Sequence, residues 1–363
     1  MAEPAPINFT RGVPAPESFP TEEVLAAAHA VLREQAATVF QYGPAAGFAP
    51  LREWIAAWQG VTAAEVLTAN GSLQLVDFLC AALLEPGDLV LTESPTYDRT
   101  LTLLRRHGAR VRGIPLAADG PDVEALEAVL RHERAKLFYV IPDFQNPTGA
   151  TCSLAKRRRI VELAARHGLL VLEDAPYRLL RYRGREDPTL FALAPRHVLH
   201  MGSFTKLVAP GVRVGYLLGD AALVARLAKI AEDTYISPGY VAHAITWEWC
   251  RQGRLPAQVE RLKALYAPRL DACLAALDRW MPEAEPTRPD GGFFVSLTLP
   301  PGAPTTAVRA AAAERGLNLA DGLAFFPDGG GERFLRLPFC ALAPAEIDEG
   351  IRRLAAAVRA VRR

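Results

Sequence analysis

LFYVIPDFQNPTGATCSLAKRRRIVELAARHGLLVLED, residues 137–174, contains the pattern that decides the fold. Its two ends, LFYVIP (137–142) and LLVLED (169–174), are short apolar runs without polar alternation, which is typical of strands buried on both faces. The middle, LAKRRRIVELAARHG (154–168), has helical spacing and ends at a glycine. The segment therefore predicts two strands of a largely parallel sheet, joined by a helix that covers one face.

The same alternation of strand and helix patterns continues on both sides of this unit. Four further strand patterns share its short, apolar character: LVLTE (89–93), ARVRGIPL (109–116), HVLHMGSF (197–204) and VRVGYLLG (212–219). Helical spacing occurs at residues 23–35, 49–59, 72–84, 101–108 and 123–132. The run predicts an α/β fold whose large domain has a mostly parallel sheet of about seven strands, with helices on both faces.

The pattern changes after roughly residue 260. A long helix (258–280) is followed by GGFFVSLTL (291–299), a helix (305–315), ERFLRLPF (332–339) and a last helix (344–363). This order predicts a smaller α/β domain in the C-terminal part of the chain. We therefore expect an N-terminal arm at 1–25, a large domain at 26–257 and a small domain at 258–363.

Composition narrows the possible partners and the compartment. The formal net charge of +1 gives no long-range attraction to nucleic acid or to acidic membranes. The five cysteines lie far apart with no CxxC pair, so neither a disulfide framework nor a thiolate metal site is expected. The N-terminal stretch lacks a signal-peptide pattern, and no apolar run reaches the ~18 residues of a membrane span. We expect a soluble cytoplasmic protein without a metal.

Lysine is scarce in this chain, with five lysines among 41 basic residues. One of them, Lys206, lies in GSFTKLVAPGVRVGY (202–216), between hydroxyl residues and an apolar turn. An ammonium can lose its proton and act as a nucleophile or a base, whereas a guanidinium in practice cannot. Because arginine supplies nearly all other positive charge, Lys206 is a candidate for amine chemistry.

Other polar residues follow the predicted strands directly, at the edge where ligands collect in sheets of this kind. These candidates are Tyr97, Asn146, Asp174, Tyr177, Ser203, Thr205, Lys206 and Arg213, together with Gly71 and Ser72 at the start of a buried helix. Simpler explanations remain for four of them. Asp174 would then be a helix N-cap, Asn146 a turn residue, Tyr97 a core residue and Arg213 a surface residue.

Eight stretches, in order along nearly the whole chain, carry a resemblance to a known family. They are YGPAAGFAPLREWIA, NGSLQ, ESPTY, PDFQNPTG, LEDAPY, GSFTKLVAPGVRVGY, PDGGFFVSL and FLRLPF. In these stretches the sequence resembles pyridoxal 5′-phosphate (PLP) aminotransferases of fold type I, class I/II. It most resembles the branch of 2-aminoadipate and kynurenine aminotransferases, which includes the effector domains of MocR regulators. The resemblance implies PLP as the cofactor, a mixed sheet, and transamination between an L-amino acid and a 2-oxo acid.

The resemblance and the chemistry of PLP together assign a catalytic group. Lys206 is expected to hold PLP as a Schiff base and, once a substrate amine displaces it, to move the proton between Cα and C4′. Asp174 is expected to keep the ring nitrogen protonated, so that the ring acts as an electron sink. Tyr177 and Asn146 are expected to hydrogen-bond the 3′-oxygen of the ring.

Further residues are expected to bind the phosphate and the substrate. The expected phosphate ligands are Gly71, Ser72, Gln74, Ser203, Thr205 and Arg213. Tyr97 would stack on the ring, and the resemblance implies that Tyr42 reaches the phosphate of a partner subunit, hence a homodimer with shared sites. Arg336 would pair with the substrate α-carboxylate. The expected substrate-binding group is Arg336, Asn146, Arg11 and Gly12.

Three positions depart from the usual pattern of this branch. Arg11 replaces a small glycine, Ala175 replaces a second aspartate, and Arg99 replaces a small residue after Tyr97. None of them changes the core chemistry. Arg11 and Arg99 favour a substrate with an acidic side chain.

Three other functions are compatible with parts of the sequence. Ser203-x-x-Lys206 also fits the nucleophile motif of penicillin-binding proteins and β-lactamases, but no KTG triad occurs and the strand pattern does not suit that fold. A PLP-dependent lyase would use the same core residues. A non-enzymatic sensor like the MocR effector domain is the third alternative; because the arm motif begins by residue 7, we expect no DNA-binding domain before it.

Overall fold

The computed structural model describes residues 5–362. Thirteen strands occur in this part of the chain: β1 (Ile7–Phe9), β2 (Val66–Ala69), β3 (Leu89–Ser94), β4 (Arg110–Ala117), β5 (Gly120–Pro121), β6 (Ala135–Val140), β7 (Leu170–Asp174), β8 (Val198–Ser203), β9 (Gly215–Leu218), β10 (Glu285–Pro286), β11 (Phe294–Thr298), β12 (Leu317–Leu319) and β13 (Phe334–Pro338). Twelve α-helices occur in the same part: α1 (Thr21–Val39), α2 (Ala49–Gln59), α3 (Ser72–Leu83), α4 (Asp98–Arg106), α5 (Val123–His132), α6 (Leu154–His167), α7 (Leu190–Leu193), α8 (Ala221–Tyr235), α9 (Tyr240–Arg251), α10 (Arg254–Trp280), α11 (Thr305–Ala313) and α12 (Pro344–Val361).

The main sheet has eight strands in the order β2-β9-β8-β7-β6-β3-β4-β5. The strands from β8 to β4 in this order run parallel, whereas β9 is antiparallel to both of its neighbours and β5 is antiparallel to β4. The predicted α/β fold with a mixed, mostly parallel sheet is therefore confirmed, with eight strands instead of about seven. β2 and β5 have four and two residues and are too short to give a recognisable apolar pattern.

Helices cover both faces of this sheet. Leu79 of α3 packs in one buried cluster with Leu172 of β7, and Leu163 of α6 packs in another with Val171 of the same strand. Successive residues of a strand point to opposite faces, so a strand covered on both sides is apolar throughout. This explains the unalternating pattern of LLVLED.

A smaller antiparallel sheet, β10-β11-β13, lies in the C-terminal part of the chain. The first strand, β1, pairs in parallel with β12, so the N-terminal segment joins this part. The main sheet lies within residues 66–218 and the smaller sheet within 285–338. The division at residues 25 and 257 stays a prediction.

The helices of the C-terminal half differ from the sequence prediction in one start position and in number. α10 begins at Arg254, before the predicted residue 258, and continues through Pro268. α8 and α9 were not predicted, although both contribute buried residues to the core. Within residues 5–362, no helix is both long and apolar enough to cross a membrane.

Candidate active site

A cavity of about 460 Å³ lies where β7 and β8 end. Most of the predicted site residues line it: Arg11, Gly12, Ser72, Tyr97, Asn146, Asp174, Tyr177, Ser203, Thr205, Lys206, Arg213 and Arg336. The reason is topological. β6, β7 and β8 are adjacent and parallel, so the residues that follow them meet at one edge of the sheet.

Lys206 ends a short 3-10 turn directly after β8. Ser203 caps this turn, because its hydroxyl accepts a hydrogen bond from the Thr205 amide at 3.1 Å. The Lys206 Nζ donates to the Gly12 carbonyl at 2.8 Å and lies 5.7 Å from the centroid of the Tyr177 ring. Burial lowers the pKa of Lys206 from 10.5 to about 8. A neutral, nucleophilic amine is therefore accessible near neutral pH.

Asp174 is the last residue of β7 and is 6% exposed. Its Oδ2 accepts a hydrogen bond from the Tyr139 hydroxyl at 2.7 Å, whereas its buried Oδ1 has no partner within residues 5–362. Burial raises the pKa of Asp174 from 3.8 to about 6, and the Tyr139 bond acts in the opposite direction. A buried carboxylate oxygen without a donor fits a cationic N–H group such as a protonated ring nitrogen. The N-cap alternative is wrong, because the next α-helix begins only at Leu190.

The N-terminus of α3 forms one wall of an anion cradle, which we define as Ser72, Ser203, Thr205 and Arg213. Gly71 precedes the helix with φ +96°, and a Cβ at this position would lie 2.3 Å from the Arg213 Nη2. Glycine is therefore required for the guanidinium to approach the helix N-terminus. The Arg213 Nη2 donates to the Asn70 carbonyl at 3.3 Å. Helix N–H groups, hydroxyls and a guanidinium are the donors that bind a phosphate.

Arg336 lies on β13 and is 9% exposed. Its Nη1 donates to the Asn146 Oδ1 at 2.9 Å and its Nη2 to the Thr10 carbonyl at 2.8 Å. Its buried Nε has no partner in the described part of the chain. The guanidinium also lies 5.0 and 4.6 Å from the ring centroids of Phe294 and Phe325. Burial lowers the pKa of Arg336, but an arginine keeps its charge at neutral pH. A buried guanidinium bonded only to neutral oxygens fits the carboxylate of a bound molecule.

Two tyrosines complete the inner wall. Tyr177 is 5% exposed, and its ring packs edge-on against Phe294 with the centroids 5.6 Å apart. Tyr97 is half-buried and immediately precedes α4. Both rings lie on the cavity, so they can contact a planar ligand beside Lys206.

Four charged residues surround the outer part of the cavity: Arg11, Asp98, Arg99 and Asp321. Arg99 lies beside Asp98, with 3.8 Å between the Nε and Oδ2 atoms. Asp321 accepts a hydrogen bond from the Leu323 amide at 3.1 Å and lies 3.6 Å from the Arg309 Nη1. Arg11 is exposed and forms no ion pair with any residue in the range 5–362. Its charge is therefore available to an anionic group of a ligand.

Three predicted site residues do not line the cavity. The Gln74 Oε1 accepts a hydrogen bond from the Asn70 amide at 3.0 Å, so this side chain stabilises the turn before α3. Gly71 lies next to the Arg213 guanidinium, and its lack of a side chain leaves room for this group. Tyr42 is 73% exposed and lines a separate, more open groove of about 950 Å³.

Several residues of the site have no recognisable signal in the sequence. Tyr139 looks like a core residue within LFYVIP, and its role depends on the pairing of β6 with β7, which places it next to Asp174. Thr10 contributes only its carbonyl, which no side-chain pattern reveals. Phe294 and Phe325 pack on Arg336 from segments that are distant in sequence.

Known proteins are similar to this chain over nearly its whole length. A family profile described as Aminotransferase class I and II matches residues 5–354. The chain is 37% identical to 2-aminoadipate transaminase of Thermus thermophilus, over 98% of this chain and 91% of that protein. It is 32% identical to aromatic-amino-acid aminotransferase 1 of Thermococcus litoralis, over 97% of this chain and 88% of that protein.

Solved structures show the same similarity. The crystal structure of α-aminoadipate aminotransferase from Thermus thermophilus, complexed with N-(5′-phosphopyridoxyl)-L-leucine, has a TM-score of 0.94 and 36% identity, covering 98% of this chain and 92% of that one. The structure of Pyrococcus horikoshii kynurenine aminotransferase has a TM-score of 0.95 and 31% identity, covering 98% of this chain and 91% of that one.

Proposed function

The chain belongs to the class I and II aminotransferases and is a PLP-dependent transaminase, and we propose that Lys206 is the residue that holds the cofactor and moves the substrate proton. The observation that carries this proposal is the Oδ1 of Asp174, which has no partner within residues 5–362, in the same cavity as the half-buried Lys206, whose pKa is lowered to about 8. An acidic group without a donor and an amine that deprotonates readily are the two requirements of this chemistry.

When bound, PLP withdraws electrons from the substrate Cα, so that the Cα–H bond becomes acidic. Asp174 would accept a hydrogen bond from the protonated ring nitrogen and stabilise its charge. The anion cradle binds the phosphate, while Tyr177 and Asn146 bind the 3′-oxygen side of the ring. Once the substrate amine has displaced it, Lys206 would act as the acid and base that moves the proton between Cα and C4′.

Arg336 binds the substrate α-carboxylate in this proposal. The support is a buried guanidinium held in one orientation by Asn146 and by the Thr10 carbonyl. Because a bidentate pair fixes a carboxylate in a plane, Arg336 also orients the bond that is to be broken relative to the ring. Gly12 contributes backbone beside the same position.

We propose an amino donor with an acidic side chain. Arg11 supports this choice, because it is a cation of the cavity wall without an ion pair among the described residues. Arg99 adds charge nearby, although Asp98 partly compensates it. The relative from Thermus thermophilus is named for the acidic substrate 2-aminoadipate, whereas the Thermococcus litoralis relative is named for aromatic substrates.

We propose that the chain forms a homodimer through the groove that Tyr42 lines. Large apolar side chains are exposed in and around this groove, including Phe40 at 69% and Val241 at 39% exposure. A soluble monomer rarely exposes such a group of apolar residues together, and a second copy would cover them. Tyr42 of each subunit would then reach the phosphate in the other.

The domain division and the compartment complete the proposal. The arm at 1–25, the large domain at 26–257 and the small domain at 258–363 are supported by the positions of the two larger sheets. A reducing compartment such as the cytoplasm is supported by five cysteines that are all buried and unpaired. A lyase or a sensor would need the same cofactor residues, and no observation favours either over transamination.

Borohydride reduction of the PLP-loaded protein tests the cofactor residue. The reduced protein should carry phosphopyridoxyl on the peptide that contains Lys206, and Lys206→Ala should lose both this label and turnover. The control is Lys229→Ala, which removes an exposed lysine that pairs with Glu232 and Asp233. The label and turnover should persist in the control. A label on another lysine of the wild-type protein would overturn the assignment.

A further inference from the structure

Residues 10–15 are here called the strap, and the residues from Thr10 to Pro14 line the cavity. Three carbonyls of the strap accept hydrogen bonds from side chains that are distant in sequence: Thr10 from Arg336, Gly12 from Lys206 and Val13 from Cys340. The Ala15 amide donates to the Tyr266 hydroxyl at 3.2 Å. The strap has no regular secondary structure. Its position therefore depends on these side-chain contacts.

Two of these contacts involve the proposed substrate and cofactor residues. The Lys206 Nζ lies 2.8 Å from the Gly12 carbonyl, and the Arg336 Nη2 lies 2.8 Å from the Thr10 carbonyl. The strap is also packed closely: a Cβ at position 12 would lie 2.4 Å from the ring of Phe294. A displacement of the strap would therefore change the surroundings of the amine and the guanidinium together.

Cys340 binds the strap through its thiol. It follows β13, is fully buried, and its thiol donates to the Val13 carbonyl with 3.1 Å between sulfur and oxygen. Burial raises the pKa of Cys340 to about 12, so the thiol keeps its proton and remains a donor. The substrate-binding strand that carries Arg336 is thus connected to the strap at two points, Thr10 and Val13.

Arg269 adds a second connection to the same place. It is 6% exposed on α10 and donates one hydrogen bond to the Cys340 carbonyl and another to the carboxylate of Glu17. Its guanidinium lies 5.7 Å from the ring centroid of Tyr266, the residue that binds the Ala15 amide. Cys340, Arg269 and Tyr266 form what we call the clamp, and together they bind Val13, Ala15 and Glu17.

We propose that Cys340 is a positioning residue for transamination and that Arg269 assists it: the clamp fixes the strap, and the strap orients Arg336. This inference rests on the proposed role of Arg336. Neither Cys340 nor Arg269 lines the cavity, so they act through the strap and do not contact the substrate.

Three cysteine variants of the PLP-loaded protein test the proposal. Cys340→Ala removes the donor, and Cys340→Ser restores a hydroxyl donor. Cys273→Ala removes another fully buried cysteine, whose thiol forms no hydrogen bond with any residue in the range 5–362. We expect Cys340→Ala to raise the KM of both the amino acid and the 2-oxo acid about fivefold, the loss that one hydrogen bond typically causes. The kcat should change less. Cys340→Ser should recover most of the KM, and Cys273→Ala should leave it unchanged.

Hydrogen exchange supplies a readout that does not depend on turnover. Amides of residues 10–18 should exchange faster in Cys340→Ala than in wild type, while Cys340→Ser and Cys273→Ala should resemble wild type. The proposal is overturned if Cys340→Ala leaves the KM and the exchange unchanged, or if Cys273→Ala changes both equally. If borohydride does not fix PLP on Lys206 of the wild type, the proposed function fails separately, and the exchange result still decides whether the clamp holds the strap.

Discussion

The protonation of Asp174 should make a measurable contribution to the pH dependence of folding. Its folded pKa is about 6, whereas its ordinary value is 3.8. Between these values the folded protein binds a proton that the unfolded chain has released, so stability falls as the pH rises. The raised pKa of Asp174 adds about 3 kcal/mol to the free energy of unfolding at low pH. About 2 kcal/mol of this contribution is lost between pH 4 and pH 7. Asp174→Asn cannot titrate and should not show this loss.

The measurement is the free energy of urea-induced unfolding of the cofactor-free protein, in wild type and in Asp174→Asn, at pH 4, 5, 6 and 7. Subtracting the free energy of unfolding of Asp174→Asn from that of wild type removes the contribution of all other titrating groups. A constant destabilisation by the amide does not change with pH, so it does not affect the pH dependence of this difference. Tyr139→Phe should enlarge the change, because the Tyr139 hydroxyl lowers the pKa of Asp174. Added PLP should reduce it, since a ring N–H at Oδ1 favours the ionised carboxylate. A difference that stays constant from pH 4 to pH 7 would refute the reasoning.

Four further results are expected. Arg336→Ala should weaken binding of both amino and 2-oxo acids by about 3 kcal/mol, or roughly a hundredfold, while the cofactor stays bound. Ligand titration of the PLP absorbance measures this affinity, and an unchanged affinity would contradict the role of Arg336. Arg11→Ala should lower kcat/KM for acidic donors about fivefold and leave leucine unaffected, and a wild-type preference for apolar donors would contradict the acidic pocket. Phe40→Asp should convert the dimer into monomers in sedimentation velocity, and a monomeric wild type would contradict the interface. The rate at which the protein captures PLP should rise with pH and level off above about 8, because only neutral Lys206 attacks; a rise that continues to pH 10 would contradict the lowered pKa.

The sequence predicted those parts of the fold that have a local pattern. β6 and β7 were recognisable because strands buried on both faces are apolar throughout. The residues after parallel strands were recognisable as a site because strand ends share one edge. β5 was missed because two residues cannot show a period.

Contacts between distant segments could not be predicted from a local pattern. The Arg336 bond to the Thr10 carbonyl and the Cys340 bond to the Val13 carbonyl each join residues more than 300 positions apart. Both acceptors are backbone atoms, so the identity of the accepting residue gives no signal. Tyr139 had an ordinary strand environment, and only the pairing of β6 with β7 places it beside Asp174.

The reversal of direction between β8 and β9 has a consequence for how this enzyme can be altered. The chain leaves the main sheet near Lys206 and returns on the adjacent strand just after Arg213, whose backbone has a positive φ of 49°. The length of this connection, residues 207–212, sets both the distance and the relative direction of the Lys206 amine and the Arg213 guanidinium. One inserted residue would displace the returning segment or turn its side chains to the opposite face. Libraries for laboratory evolution can vary the composition of residues 207–212, but their length has to stay constant.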